Sequence, residues 1–163
     1  MTADRNPIWK PALAGFGVAL FVAMVGGLIT DLDPWYYSLQ QPAWKPPDWL
    51  FGPAWTVIFA LAALSGIIAW RRAPNRITQL SMVWLFALNG VLNILWSALF
   101  FRAHRPDWAL AEVILLWLSV LVLIVVMWRY SRPSSWLLVP YLIWVTYAGA
   151  LNAAVIRLNG PFA

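Results

Sequence analysis

Cysteine is absent from this 163-residue chain, and histidine occurs once, at His104. Without thiols there is no disulfide framework, no iron–sulfur or cysteine–zinc site and no thiol nucleophile. One imidazole cannot build a histidine cluster, so no metal site and no cofactor are expected. Charge is scarce as well. Asp, Glu, Lys and Arg make up 10% of the chain, against about 25% in soluble domains. Hydrophobic residues reach 63%, where roughly 45–50% is usual. A soluble globule of this length has too little interior for so much apolar surface. Lipid is therefore the solvent for most of the chain, and disorder is excluded by the same composition. The net charge of +5 then reads as charge flanking membrane spans rather than as a nucleic-acid surface. What the chain has in excess is tryptophan, with 13 residues, more than interfacial anchoring asks for.

Five apolar runs follow one another. The first, 11–30, is uncharged and has about the 20 residues that a spanning helix needs. A cleaved signal peptide is the alternative. No small-residue cleavage site followed by polar sequence is evident and further spans follow, so a retained helix is expected. The other runs are 51–70, 77–101, 108–128 and 135–156, each closed by arginine, proline or both, or by Arg157 and Gly160. Pro140 falls in the first turns of the last run, where a missing amide is tolerated. No run has the short alternating pattern of a membrane barrel. The expected fold is a single all-α domain over 1–163, a bundle of five transmembrane helices. Between the first two helices lies 31–50, with four prolines, three tryptophans and four charges. Prolines restrict it and aromatics give it something to pack with, so a long but structured loop is expected over the bundle end.

Arg5, Lys10, Arg71, Arg72, Arg76, Arg129 and Arg132 collect on one side, and Lys45, Arg102, Arg105 and Arg157 on the other. The positive-inside rule then puts the N-terminus in the cytoplasm and the loop outside. Small residues on the first helix (Gly15, Ala19, Ala23, Gly26, Gly27) and the third (Ala87, Gly90) permit close packing, within one chain or in a homodimer.

Few residues within the runs carry chemistry. Glu112, in the first turns of the fourth helix, is either a functional carboxylate or an interfacial group with a polar partner. Asn89 and Asn93, one turn apart, and Asn152 are interhelical hydrogen-bonders or ligand contacts. Trp96 shares a face with Asn93. Trp144 is near mid-span, where anchoring does not explain it, and Trp55 is a turn into its helix; each is core packing or a stacking plate. The serines have no plausible base, Asp31 and Asp33 no partner acid at a fixed distance, and no glycine-rich loop precedes a helix. Ion transport is poorly supported by so little intramembrane charge. What remains is a small aromatic bundle under a proline–tryptophan lid, suited to a flat apolar ligand.

Several segments, in order, resemble the translocator protein family, also called TspO or the peripheral benzodiazepine receptor. They are Trp35-Tyr36, Leu39-Gln40, Trp44-Lys45-Pro46-Pro47, Gly52-Pro53-Ala54-Trp55, Asn93-Ile94-Leu95-Trp96 with Phe100-Phe101, Trp108-Ala109-Leu110, and Pro140-Tyr141-Leu142-Ile143-Trp144 with Leu151-Asn152 and Arg157. The resemblance implies five helices, commonly dimeric, binding porphyrins, sterols and benzodiazepine-site drugs under the first loop. It implies pocket positions at Trp55, Asn93, Trp96, Trp108, Ala111, Leu115, Trp144, Ala148 and Leu151, with Val25 and Leu28 on the first helix by position alone. The loop holding Trp44 and Pro47 would close the pocket. In some bacterial members porphyrin is degraded in light, and the implicated tryptophans resemble Trp55 and Trp144. The sterol-recognition pattern of animal members is incomplete, since Ala153 takes the aromatic's place; cholesterol is expected to bind weakly at best. The loops have a bacterial look, so a bacterial cell membrane is the expected location. The expected function is tetrapyrrole binding for sensing, regulation or transport. A light-dependent porphyrin-degrading enzyme is the alternative, and a structural assembly partner a third.

Overall fold

A computed structural model of the chain describes residues 17, 22, 24, 26, 27, 29, 30 and 32–162. Every regular element among them is helical: α1 (Pro34–Ser38), a 3₁₀ turn (Asp48–Leu50), α2 (Phe51–Arg72), α3 (Arg76–Ser97), a π-helical turn (Ala98–Arg102), α4 (Pro106–Tyr130), α5 (Arg132–Trp136) and α6 (Val139–Asn159). Four helical stretches are long and apolar enough to cross a membrane: Asp48–Arg72, Arg76–Arg102, Pro106–Tyr130 and Arg132–Asn159. This is the architecture of an integral membrane protein. Most of the run 11–30 lies outside the described residues; within it, residues 17, 22, 24, 26, 27 and 29 are helical.

The boundaries follow from local chemistry. α2 stops at Ala73, because the residue before Pro74 is pushed out of the helical region. Asn75 restarts the chain by accepting the Thr78 amide at 2.9 Å, an N-cap. Pro106 opens α4, where its missing amide is no loss. Ser131 breaks the helix with extended dihedrals and caps α5 by accepting from Ser134 N. The run 135–156 is not one helix. It is interrupted at Leu137 and Leu138, because Pro140 has no N–H for the Trp136 carbonyl and its ring crowds that group. The run 77–101 likewise ends in the π turn, closed by Ala103 N donating to Ala98 O at 2.9 Å.

α4 is central, with α3 and α6 against it. Its inward residues Ala109, Leu116, Val120, Leu123 and Met127 are almost wholly buried. The opposite character appears on α3, where Ile77, Val83, Trp84, Leu88, Val91 and Leu95 are exposed, as suits a face toward lipid. Several polar groups inside the bundle pair with one another. Ser134 donates its hydroxyl hydrogen to the Ser65 carbonyl at 2.6 Å, so Ser65 is the donor in the 2.9 Å contact between the two hydroxyls. Gly90 is used within the chain: a Cβ there would stand 3.1 Å from Val22 Cγ2. Of the small residues proposed for a dimer seam, Gly90 thus packs inside one protomer, while Gly15, Ala19 and Ala23 lie outside the described residues.

Candidate ligand cavity under the lid

Segment 32–50 is more regular than a proline-rich loop suggests. Asp33 accepts the Tyr36 amide at 2.9 Å and starts α1, with Pro34 in the first turn where proline is favoured. Asp33 therefore has a structural role as the cap of α1, while Asp31 lies outside the described residues. The Tyr36 hydroxyl donates to Asp48 Oδ1 at 2.7 Å, and Lys45 pairs with the same carboxylate. Burial, then the Asp48 carboxylate, push the Tyr36 phenol above its ordinary pKa, so it stays a donor at neutral pH.

Three contacts fasten this lid to the bundle. The Asn159 amide accepts from Gln40 N at 2.7 Å and donates to Gln40 O at 2.9 Å. The Trp35 ring stacks on His104 at 4.1 Å and 15°, and His104 Nε2 lies 3.2 Å from Asp33 Oδ2. Tyr147 donates to the Trp44 carbonyl at 3.4 Å. His104 has a φ of 53°, a left-handed conformation that turns the chain from the π segment into α4.

Beneath the lid is a cavity of about 410 Å³, within the usual range for small-molecule sites. Two groups of rings line it. On α2 and α6, Trp55 stacks on Phe59 at 5.3 Å and meets Trp144 edge-on at 6.3 Å, while Phe51 meets Trp144 at 5.7 Å. On α3 and the π turn, Trp96 stacks on Phe100 at 5.6 Å, and Phe100 lies 4.8 Å from Phe101. The wide π turn lets both consecutive phenylalanines reach the same wall.

Behind the rings is a polar hub. Tyr141 donates to Asn89 Oδ1 at 3.0 Å and accepts from Asn93 Nδ2 at 3.3 Å, while Asn89 donates to Ser119 at 2.8 Å. Asn89 is thus an interhelical link, whereas Asn93 is a link that also faces the cavity. Asn152, with its amide turned to suit both groups, donates to Pro106 O at 3.0 Å and accepts from Leu110 N at 3.1 Å. Glu112 is 5% exposed, and both its oxygens lack a hydrogen-bond partner among the described residues. It is not among the described residues of the cavity wall.

Of the expected pocket residues, Trp55, Asn93, Trp96, Trp144, Ala148 and Leu151 converge on this cavity. Others stand elsewhere. Trp44 is half exposed at the lid rim, edge-on to Tyr147, which in turn tilts against Trp144. Pro47 caps the 3₁₀ turn. Trp108, at 58% exposure, and Ala111 and Leu115 form an outward stripe on α4. That helix buries the stripe through Ala109, Glu112 and Leu116, a different side at 3.6 residues per turn. Val25 and Leu28 lie outside the described residues. Sequence reasoning missed Tyr36, Gln41, Asp48, Phe51 and Phe59. The spacing of Phe51, Trp55 and Phe59, four residues apart, was a readable aromatic stripe; the lid residues carried no such signal.

The TspO/MBR family profile matches residues 15–158. A tryptophan-rich protein TspO of Chlorobaculum tepidum is 39% identical over 147 residues, covering 88% of this chain and 92% of its own. Protein CrtK of Rhodobacter capsulatus is 38% identical, covering 90% and 91%. The human translocator protein is 31% identical over 158 residues, covering 94% and 92%. A match of this extent, on an all-helical membrane protein, means that the chain belongs to the TspO/MBR family.

Proposed function

We propose that this chain binds tetrapyrroles, porphyrins and haem precursors among them, in the cavity under the lid, and acts as a sensor, regulator or transporter. The observation that carries this reading is the pair of ring groups around one cavity of about 410 Å³. A large flat π-system gains from edge and face contact with such rings. Similar proteins named sensory protein, from Cereibacter sphaeroides, and translocator protein, from Homo sapiens, support sensing or transport rather than turnover. In this reading the run 11–30 completes a bundle of five helices, and two copies pair as a homodimer without using Gly90. The N-terminus is cytoplasmic in a bacterial cell membrane, and the lid faces outward. Arg71, Arg72, Arg76, Arg129 and Arg132 flank the helix ends opposite the lid, which supports that orientation. Benzodiazepine-site drugs fit the same cavity, and cholesterol binds weakly.

The test is titration of protoporphyrin into the chain in lipid nanodiscs, followed by tryptophan quenching. Saturable binding is expected, weakened roughly two- to ten-fold by Trp144→Phe, which keeps a ring and much of the area. No saturable quenching in a folded preparation would refute the reading. Light-driven loss of the Soret band beyond one equivalent, abolished by Trp144→Phe, would replace it with the enzyme.

A further inference from the structure

The two ends of the bundle treat their cations differently. At the lid end Lys45 pairs with Asp48, His104 with Asp33 and Arg105 with Asp107. At the other end stand Arg71, Arg72, Arg76, Arg129 and Arg132, and no carboxylate among the described residues is there to meet them. The described acids, Asp33, Asp48, Asp107 and Glu112, belong to the lid or to the first two turns of α4. An excess of arginine sets topology, but topology does not ask for the side chains to be held in place. Several of these are. Arg72 Nη1 donates to Ser131 Oγ at 3.0 Å, tying the end of α2 to the cap of α5. Arg132 lies over the Trp128 ring at 5.3 Å and Arg76 over the Trp70 ring at 5.4 Å. A ring contact uses the face of a guanidinium and leaves its N–H edge available to an anion.

Arg129 also ends an apolar stripe. Leu118, Val122 and Val125 are exposed along one side of α4, and the exposed Arg129 follows them at the same helical spacing. Trp128, its neighbour in the chain, meets Trp136 edge-on at 6.4 Å, and both rings are exposed. Exposed tryptophan at the end of a span sits at headgroup depth. We propose that this end of α4 holds one anionic phospholipid, its phosphate taken by Arg129 and Arg132 and an acyl chain lying along Leu118, Val122 and Val125. Arginine suits the phosphate because its planar fork offers two parallel donors to one group. The net negative charge matters, because a zwitterionic headgroup brings a cation of its own to an end that already carries five. The stripe selects a lipid over a free phosphate ion, since it gives the chain an apolar surface continuous with the charged end. None of this depends on what fills the cavity.

The test uses the full chain in a mild detergent, with lipid added back and bound copies counted by native mass spectrometry. Phosphatidylglycerol and phosphatidylcholine with the same acyl chains are compared. The first phosphatidylglycerol should bind at least about ten-fold more tightly than the first phosphatidylcholine. Arg129→Gln should lower phosphatidylglycerol affinity about five-fold, the worth of one interfacial cation, and leave phosphatidylcholine nearly unchanged. Arg132→Gln should do the same. Arg105→Gln, at the lid end, should change neither lipid. Unshifted thermal melts show that the variants are folded. Equal wild-type affinity for the two lipids overturns the proposal. So does an equal loss in Arg105→Gln and Arg129→Gln, which would make the effect one of net charge alone. Competition by chain-free glycerol phosphate at the concentration of the lipid also overturns it, because the arginines would then be reading a free anion.

Discussion

Tyr141→Phe removes one oxygen from a buried polar position that links α6 to α3. The phenol is 1% exposed, donates to Asn89 and accepts from Asn93. In a water-soluble core, each orphaned partner would cost about 1–3 kcal/mol. Interhelical hydrogen bonds in membrane bundles measure lower, averaging about 0.6 kcal/mol, because chains unfolded in lipid also find partners. Two bonds at that average give about 1.2 kcal/mol, and the two amides are not equivalent. Asn93 faces the cavity and can re-pair with water there, whereas the Asn89 oxygen is enclosed and Ser119 already takes its nitrogen. The expected loss is therefore about 1–2 kcal/mol, most of it from Asn89. Reversible unfolding in mixed micelles, titrated with a denaturing detergent and followed by tryptophan emission, reads this directly. An Asn89→Leu background should absorb more than half of the effect, whereas Asn93→Leu should absorb little. A loss below about 0.3 kcal/mol, or no coupling to Asn89, would show that the hub is not a stabilising network.

Ala148→Phe puts a ring into the cavity wall, so porphyrin affinity should fall at least ten-fold while the melt shifts little; unchanged affinity in a titration would move the site elsewhere. Gly90→Ile should destabilise the bundle by about 1–3 kcal/mol, because Val22 stands 3.1 Å from the first added carbon, and Val22→Ala should restore part of it on thermal melting. Asn159→Leu cuts both hydrogen bonds to Gln40, so chymotryptic cleavage after the exposed Tyr37 should speed up severalfold with the rest of the chain intact; an unchanged rate would mean the clamp does not hold the lid. Cross-linking in nanodiscs should trap a homodimer, and exclusively monomeric product would remove that part of the proposal.

The lipid-solvated class was legible because so apolar a chain has no other solvent. The ends of four spans were legible too, since Pro74, Asn75, Pro106 and Ser131 act on their immediate neighbours. Trp144 stood out as a tryptophan without an interface to anchor to, Trp55 as one a turn into its helix, and both line the cavity. What failed was orientation around an axis. Trp108, Ala111 and Leu115 share a helix with the buried Ala109 and Leu116, and α4 is apolar on every side, so periodicity does not say which stripe faces in. Tyr141 was hidden for a related reason. Its value lies in two asparagines on another helix, about 50 positions away in the chain, and no local pattern records that pairing. The lid was underestimated because its helix is set by one aspartate cap, a short-range effect inside a segment dominated by prolines.

The fastenings of the lid have a consequence for time rather than for affinity. The Trp35–His104 stack, the Asn159 clamp and the Tyr147 hydroxyl hold the lid at separate points, and none of these four residues lines the cavity. For a ligand that passes the lid, the barrier to leaving is the barrier to entering. Loosening one fastening then raises the association and dissociation rates together and leaves their ratio nearly unchanged. For such a ligand, residence time depends on contacts outside the cavity as well as on those within it. A variant such as His104→Ala would look silent in an equilibrium titration and stand out in a stopped-flow trace.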